Sequence, residues 1–450
     1  MILGRLKRVA TRPEAILVGI LVLAFGLRLA WVLHAQTQPL GNADTGWYYA
    51  TASNVAAGHG FTVNIAGDQW VAGPGGNATS FLPPGWPLSL GAAFALFGTH
   101  LLVAKLLNVV AGVITVYLAY RIGELLFGRT AGLLGAALLA FYPSLIYWSS
   151  TVYSDIYFTM WFSLAVFVLL RTREMTGRRL IAGTVLLGLV TGVATLTRGQ
   201  GVLLVPLVFV FWALFRGWRQ AFEWAALVVA GAAVVVLPWT VRNVATFHAP
   251  VVVSVNDGFN LRIGHSPYAT GRYIVPQDLW TMDPGISYTE REALFSREGR
   301  NLAIKYAVGH PLRELTLSGK KLYYLFIPDS DSLDWANYGP TPVAPAGVRN
   351  VLQWFSDWYY GALVLLAVVG AVAFRRLKAV QFIVIVVALW AAFHVVFFAE
   401  PRFHIPLLPL AVLLAALGIG RLRMLLAEDG KPQAPVSRRE RRRAARAAGR

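Results

Sequence analysis

Residues 15–61 read AILVGILVLAFGLRLAWVLHAQTQPLGNADTGWYYATASNVAAGHGF. From Ala15 to Leu33 the run is apolar and close to the ~20 residues a helix needs to cross roughly 30 Å of hydrocarbon. No small-residue cleavage site follows it, so a retained anchor is favoured over a removed leader. The chain then turns polar, and Asp44 is the only acid of the stretch, just ahead of the aromatic triplet Trp47 to Tyr49. Runs like the first recur along nearly the whole chain. Of 450 residues 56% are hydrophobic and only 14% charged, with mean hydropathy +0.56, which excludes a soluble globular protein and indicates an all-α polytopic membrane protein. There are no cysteines, which removes disulfides and thiolate metal sites.

Lys and Arg concentrate in the cytoplasmic loops of membrane proteins. With an inside N-terminus, spans at 15–34, 101–120, 130–148, 156–171, 180–197, 201–215, 222–239, 359–374, 380–398 and 405–420 put the basic clusters inside and every aspartate except Asp429 outside. The expectation is about ten helices, within a range of roughly 8–13, and two cytoplasmic termini. The organisation is then a basic N-terminus (1–14), a membrane domain (15–420) and a basic tail (421–450). Net charge is +18, and the end of the tail reads SRRERRRAARAAGR. After so much membrane, that run reads as a tail near anionic headgroups better than as a nucleic-acid patch. Two outer segments, 35–100 and 240–358, exceed mere connectors. In the first, Pro87 to Gly98 is too short to span and reads as a helix at the interface, with Trp86 at headgroup level.

Ionisable groups near the ends of membrane helices are costly where desolvated and tend to mark function. Asp44 follows the first span, Asp155 ends the loop YWSSTVYSD, Arg198 lies in TRGQG, Arg242 in PWTVRN, and Glu400, Arg402 and His404 in AEPRFHIP. Each has a plainer reading. Asp44 or Asp155 could cap a helix N-terminus, Arg198 and Arg402 could snorkel to headgroups, and His404 could be structural. Taken together they describe a polar pocket on the outer side.

A pocket with a carboxylate, several cations and access for a lipid suits group transfer from a lipid-phosphate donor. Phosphate leaves readily once fixed cations stabilise its developing charge. The incoming hydroxyl or amine must lose a proton, which a carboxylate within hydrogen-bond reach can take. One base plus cations suffices for an inverting sugar transfer, with no cofactor required. A divalent metal is compatible with the set but has no ligand spacing to support it.

The stretches ADTGWYYATASNVAAGHGF, FLPPGWPLSLGAAFALFG, YPSLIYWSSTVYSD, TRGQGVLLVP, PWTVRNVATFHAPVVVSVNDGFNLRIGHSPYATGRY and EPRFHIPLLPLAVLLAALG occur in this order. They resemble the bacterial membrane glycosyltransferases related to protein O-mannosyltransferases and lipid A aminoarabinose (ArnT-like) transferases. The resemblance implies a GT-C fold with juxtamembrane helices in its outer loops and a donor sugar carried on polyprenyl phosphate. It implies that Asp44 is the base or acceptor-positioning group, that Tyr48 matches a family tyrosine and Asp155 a second-loop acid, and that Arg402 is placed to hold donor phosphate or sugar. The chain departs from both best-known branches, with Thr45 where protein mannosyltransferases carry a second acid and Gly46-Trp47 in place of a basic residue. A phosphate-balancing cation is therefore expected from Arg402 or Arg198, then Lys320 or Lys321, then Arg242.

The expected function is an inverting glycosyltransferase in a bacterial cytoplasmic membrane, its active site facing outward. Asp44 and Asp155 are the catalytic candidates. Arg402, Arg198, Lys320, Lys321, Arg242, Tyr48, Glu400 and His404 are the candidates for donor phosphate or sugar. Its partners are a polyprenyl-phosphate sugar, membrane lipids and an acceptor glycan, lipid or protein, with no nucleic acid. The alternative is a transporter or flippase of a lipid-linked sugar, which would place its charges nearer the bilayer midplane on broken helices.

Overall fold

The computed structural model describes residues 13–276, 278 and 287–429. The predicted basic N-terminal arm up to residue 12 and the tail from residue 430 lie outside these. In chain order the helices are α1 (Pro13–His34), α2 (Asp44–Ala56), α3 (Gly85–Phe97), α4 (Leu101–Phe127), α5 (Arg129–Ala140), α6 (Pro143–Trp148), α7 (Asp155–Thr172) and α8 (Gly177–Thr197). After a 3-10 turn (Gly199–Leu203) come α9 (Leu204–Arg216), α10 (Trp218–Phe247), α11 (Asn256–Gly264), α12 (Tyr288–Gly309), α13 (Pro311–Leu325), α14 (Asp331–Ala336), α15 (Ala346–Ala373) and α16 (Lys378–Val396). A second 3-10 turn, Pro401–Leu407, leads into α17 (Leu408–Asp429).

Among the described residues, 9 helices are long and apolar enough to cross a membrane, within the expected range. Nine of the ten predicted spans have such a helix; the exception is 130–148. There the helix breaks at Phe141–Tyr142, giving α5 of 12 residues and α6 of 6, and neither piece alone reaches a spanning length. The break leaves the last carbonyls of α5 without helical partners. Arg28, fully buried in α1, serves them: Nη1 donates to the Ala140 carbonyl (3.1 Å) and Nη2 to that of Leu139 (3.4 Å). Its Nη1 also returns to Ala24 O (3.1 Å). Gly112 of α4 admits this guanidinium, because a Cβ there would stand 2.9 Å from Nε. A charge this deep is tolerated where it meets backbone carbonyls at the negative end of a helix dipole.

The long helices pack as neighbours through small residues. Along α8 and α10, Gly188 and Gly231 touch backbone to backbone, and along α15 and α17 Gly370 and Gly418 do the same. Close backbone approach is how helices associate where lipid offers no hydrophobic drive. Trp354 and Trp358, one turn apart near the start of α15, are exposed, as are Trp218 and Phe222 at the start of α10, in keeping with aromatic side chains at a membrane boundary.

The segment between α2 and α3 folds into a small antiparallel sheet absent from the sequence reading. Strand β1 (Thr62–Ala66) pairs with β2 (Gln69–Val71) through Asn64 and Val71, and with β3 (Asn77–Ala78) through Thr62 and Ala78. The short helix expected at 87–98 is present as α3. Trp86, expected at headgroup level, is fully buried within the protein and donates through Nε1 to Val152 O (2.8 Å), its ring filling the packing between α3 and the loop before α7.

Arg28→Met keeps an apolar stem but removes the donors from Leu139 and Ala140. It is expected to lower stability by about 1–3 kcal/mol, read as thermal or chaotrope unfolding in one fixed detergent. Unfolding identical to the wild type would show that those carbonyls find other donors.

Candidate active site

Four chain segments far apart in sequence meet where helices begin or end. Asp44 is the first residue of α2, following Ala43 in extended conformation, and its carboxylate makes no capping bond. The turn is closed instead by Leu40 N donating to Thr45 Oγ1 (3.0 Å) and by Gly46, where a Cβ would fall 2.2 Å from Leu40 O. Asp44 is therefore left for other partners, and its side chain is 36% exposed. Asp155, first residue of α7, also makes no capping bond and is only 4% exposed. The loop that delivers it is fixed by Asn108 of α4, whose Nδ2 donates to Thr151 O (3.0 Å) and Tyr153 O (3.1 Å).

Two arginines bind these acids together. Arg198, extended at the end of α8, places Nη1 2.8 Å from Asp155 Oδ1 and donates to Ser154 Oγ (3.3 Å). Arg402, in the turn before α17, sets Nη2 3.5 Å from Asp44 Oδ2 and Nη1 4.0 Å from Asp155 Oδ2. Its guanidinium also lies over the Tyr153 ring at 4.4 Å, a cation–π contact that holds it flat. The order Asp44, Arg402, Asp155, Arg198 alternates in sign, so each buried charge has an opposite neighbour, as burial requires. Arg402 Nη1 and Asp155 Oδ2 are both buried and face one another beyond hydrogen-bond distance. The Tyr48 hydroxyl meets Ser154 Oγ at 3.2 Å, and burial, with the Asp44 charge beside it, pushes its phenol up.

The remaining candidates take other places. Glu400 accepts from Arg272 Nη2 (2.7 Å), Arg272 Nε (3.3 Å) and Tyr273 N (2.9 Å). His404 donates through Nδ1 to Leu325 O (2.8 Å), stacks on Tyr360 and aims Nε2 at Asp329, 3.7 Å away. Arg242 is committed to the carbonyls of Thr79 (3.0 Å) and Phe61 (3.2 Å), which ties the small sheet to the end of α10. Lys320 is exposed. Lys321 is 1% exposed and donates to Val395 O (2.9 Å); burial pushes its ammonium down to about 8. Among the described residues no three His, Cys, Asp or Glu side chains gather as metal ligands.

Three nearby residues escaped the sequence reading: Tyr153 under Arg402, Arg272 on Glu400, and Asp331 at the start of α14. Asp331 is pushed up to about 8, first by burial and then by the charge of Asp329, against the pull of Arg402 and Arg272. A burst of three acids, Asp329, Asp331 and Asp334, was the available signal.

Residues 82–241 match the family described as dolichyl-phosphate-mannose-protein mannosyltransferase. The undecaprenyl phosphate-alpha-4-amino-4-deoxy-L-arabinose arabinosyl transferase of Pseudomonas aeruginosa (strain LESB58) is 32% identical over 160 residues, 34% of this chain and 28% of that protein. The match thus spans less than a third of that relative's length. The archaeal oligosaccharyltransferase AglB from Archaeoglobus fulgidus, in complex with an inhibitory peptide and a dolichol-phosphate, superposes with TM-score 0.55 at 15% identity, covering 97% of this chain and 54% of that one. An Archaeoglobus fulgidus oligosaccharyltransferase tethered with an acceptor peptide containing the NVT sequon gives TM-score 0.55 at 16% identity, over 92% and 50%. The membrane core has the GT-C fold, and the resemblance to the mannosyltransferase and aminoarabinose transferase superfamily is borne out.

Asp331 gives a pH test. Its folded pKa, about 8, lies above the ordinary 3.8, so its protonated form adds stability that is complete below about pH 4 and lost as pH rises through about 8. Asp331→Asn should melt with the wild type at low pH and at a higher temperature above pH 8. Parallel melting curves across that range would remove the assignment.

Proposed function

We propose that this chain is an inverting glycosyltransferase that moves a sugar from a polyprenyl-phosphate donor to a hydroxyl or amine acceptor at the outer face of a bacterial cytoplasmic membrane. The observation that carries the proposal is the alternating Asp44–Arg402–Asp155–Arg198 cluster, which offers a part-exposed carboxylate beside two largely enclosed guanidinium groups.

The roles follow from burial. Asp44 is the acid that solvent and an acceptor reach, and it takes the proton of the attacking hydroxyl. Arg402, with Nη1 unpartnered, and Arg198 stabilise the negative charge that grows on the departing phosphate. Asp155 lies too deep to serve a bulky acceptor; it holds the two arginines apart and oriented. A single displacement of this kind breaks the anomeric C–O bond as the acceptor oxygen forms its own bond from the opposite side, so the anomeric configuration inverts. Tyr48 and Ser154 floor the cluster.

The family and fold likenesses support the same reading, since the relatives named above carry polyprenyl-phosphate and dolichol-phosphate in their descriptions. The rival, a transporter of a lipid-linked sugar, calls for charge near the bilayer midplane. Here the four side chains stand at or next to helix ends. The outward orientation rests on the placing of Lys and Arg on the opposite side.

Purified protein in lipid nanodiscs, given polyprenyl-phosphate sugars and a pool of envelope acceptors, should transfer sugar with inversion, read by mass spectrometry and NMR of the anomeric proton. Asp44→Asn is expected to lose roughly 10²–10⁴-fold in turnover and Arg402→Met roughly 10²–10³-fold. Full turnover in Asp44→Asn would sink the role given to that carboxylate.

A further inference from the structure

Lys321 was expected among the cations for the donor phosphate, yet it is buried and its ammonium faces a helix end. The α16 helix stops at Val396, and Phe397 leaves helical geometry with φ −108° and ψ −116°. The last carbonyls of a helix lack intrahelical partners. Lys321 Nζ donates to Val395 O (2.9 Å), and His265 Nε2 to Val396 O (2.7 Å). The other ring nitrogen of His265 meets Glu314 Oε2 at 2.7 Å, and Glu314 precedes Lys321 on α13. Two side chains of the one outer segment 240–358 thus cap one helix.

The grip continues residue by residue. Phe397 O lies so close to Gly264 that a Cβ there would stand 1.9 Å from it. Ala399 N donates to Gly271 O (3.0 Å). Glu400 is held by Arg272 and Tyr273 N. Two residues on is Arg402. The chain from 395 to 400 is therefore laid against a template made of residues 264–273 and α13, and that template fixes where the turn carrying Arg402 begins.

We propose that Lys321 and His265 are positioning residues: they clamp the end of α16 and thereby set the guanidinium of Arg402 between Asp44 and Asp155. This rests on the transferase reading above. Lys321 acts here without touching the donor, and its cation suits the carbonyl end of a helix. Glu314, facing His265, balances the added charge. Small displacements of a group that acts in the transition state are costly in rate, so the clamp governs turnover more than donor affinity.

The test compares Lys321→Met, Lys321→Gln and Lys321→Arg in the full chain in nanodiscs, with hydrogen–deuterium exchange over residues 397–403 and steady-state transfer from a polyprenyl-phosphate sugar. Expected are faster exchange of that segment in Lys321→Met, a fall in kcat of roughly ten- to a hundred-fold with donor KM within about two-fold, and recovery of both readouts in Lys321→Arg. Lys321→Gln, which keeps a donor but no charge, should fall between and stands in if the methionine variant fails to fold. A raised donor KM with unchanged exchange would overturn the clamp and return Lys321 to the donor site, and unchanged kcat and exchange would overturn it outright. A wild type that transfers nothing would defeat the transferase reading alone, and the exchange comparison would still support or overturn the clamp.

Discussion

A helix that ends against hydrocarbon or inside a bundle leaves carbonyls and N–H groups that water does not reach, and each must find a partner within the protein. Much of this structure follows from that constraint. Arg28 serves the end of α5, Lys321 and His265 the end of α16, and Asn108 and Trp86 the loop between α6 and α7. The partners arrive from distant segments, so satisfying the backbone also fixes how the helices and outer loops sit. Helix ends thereby become the places where polar side chains gather.

The charged cluster is built on the same footing. Asp44 and Asp155 each open a helix without capping it. The turns around them are closed by Thr45, Gly46, Asn108 and Trp86, and the carboxylates are released to the arginines. Asp155 is buried and meets both Arg198 and Arg402, whereas Asp44 is part-exposed and meets only Arg402 among ionic partners. Two acids of one chemical type thus stand in different surroundings, one part-open and one enclosed.

Particular residues show where sequence reasoning reached and where it stopped. The spans were legible because a run of about 20 apolar residues records its own length. The break in 130–148 had a local sign that the span reading passed over, since Pro143 lacks an N–H and turns Tyr142 extended; the partner of the freed carbonyls, Arg28, was not legible, because it lies in a different helix. Capping was a fair reading of Asp44 from its neighbours, and the structure assigns the closing bond to Thr45 instead. The pair Lys320-Lys321 looked like two equivalent cations; a rotation of about 100° per residue along α13 puts one in solvent and the other in the packing. Arg272 carried no local motif and gained meaning only from Glu400, and the burst of acids around Asp331 gained it only from burial beside Asp329.

By itself, then, the sequence determined a helical membrane chain, its approximate spans, and a set of charged residues concentrated near helix ends, since hydrophobic length and charge placement are properties read along one dimension. The tertiary structure alone decided which charges share a site. Asp44 and Arg402 stand 358 positions apart, and whether a guanidinium meets a carboxylate or a helix-end carbonyl depends on helix rotation and loop packing, which no local pattern encodes.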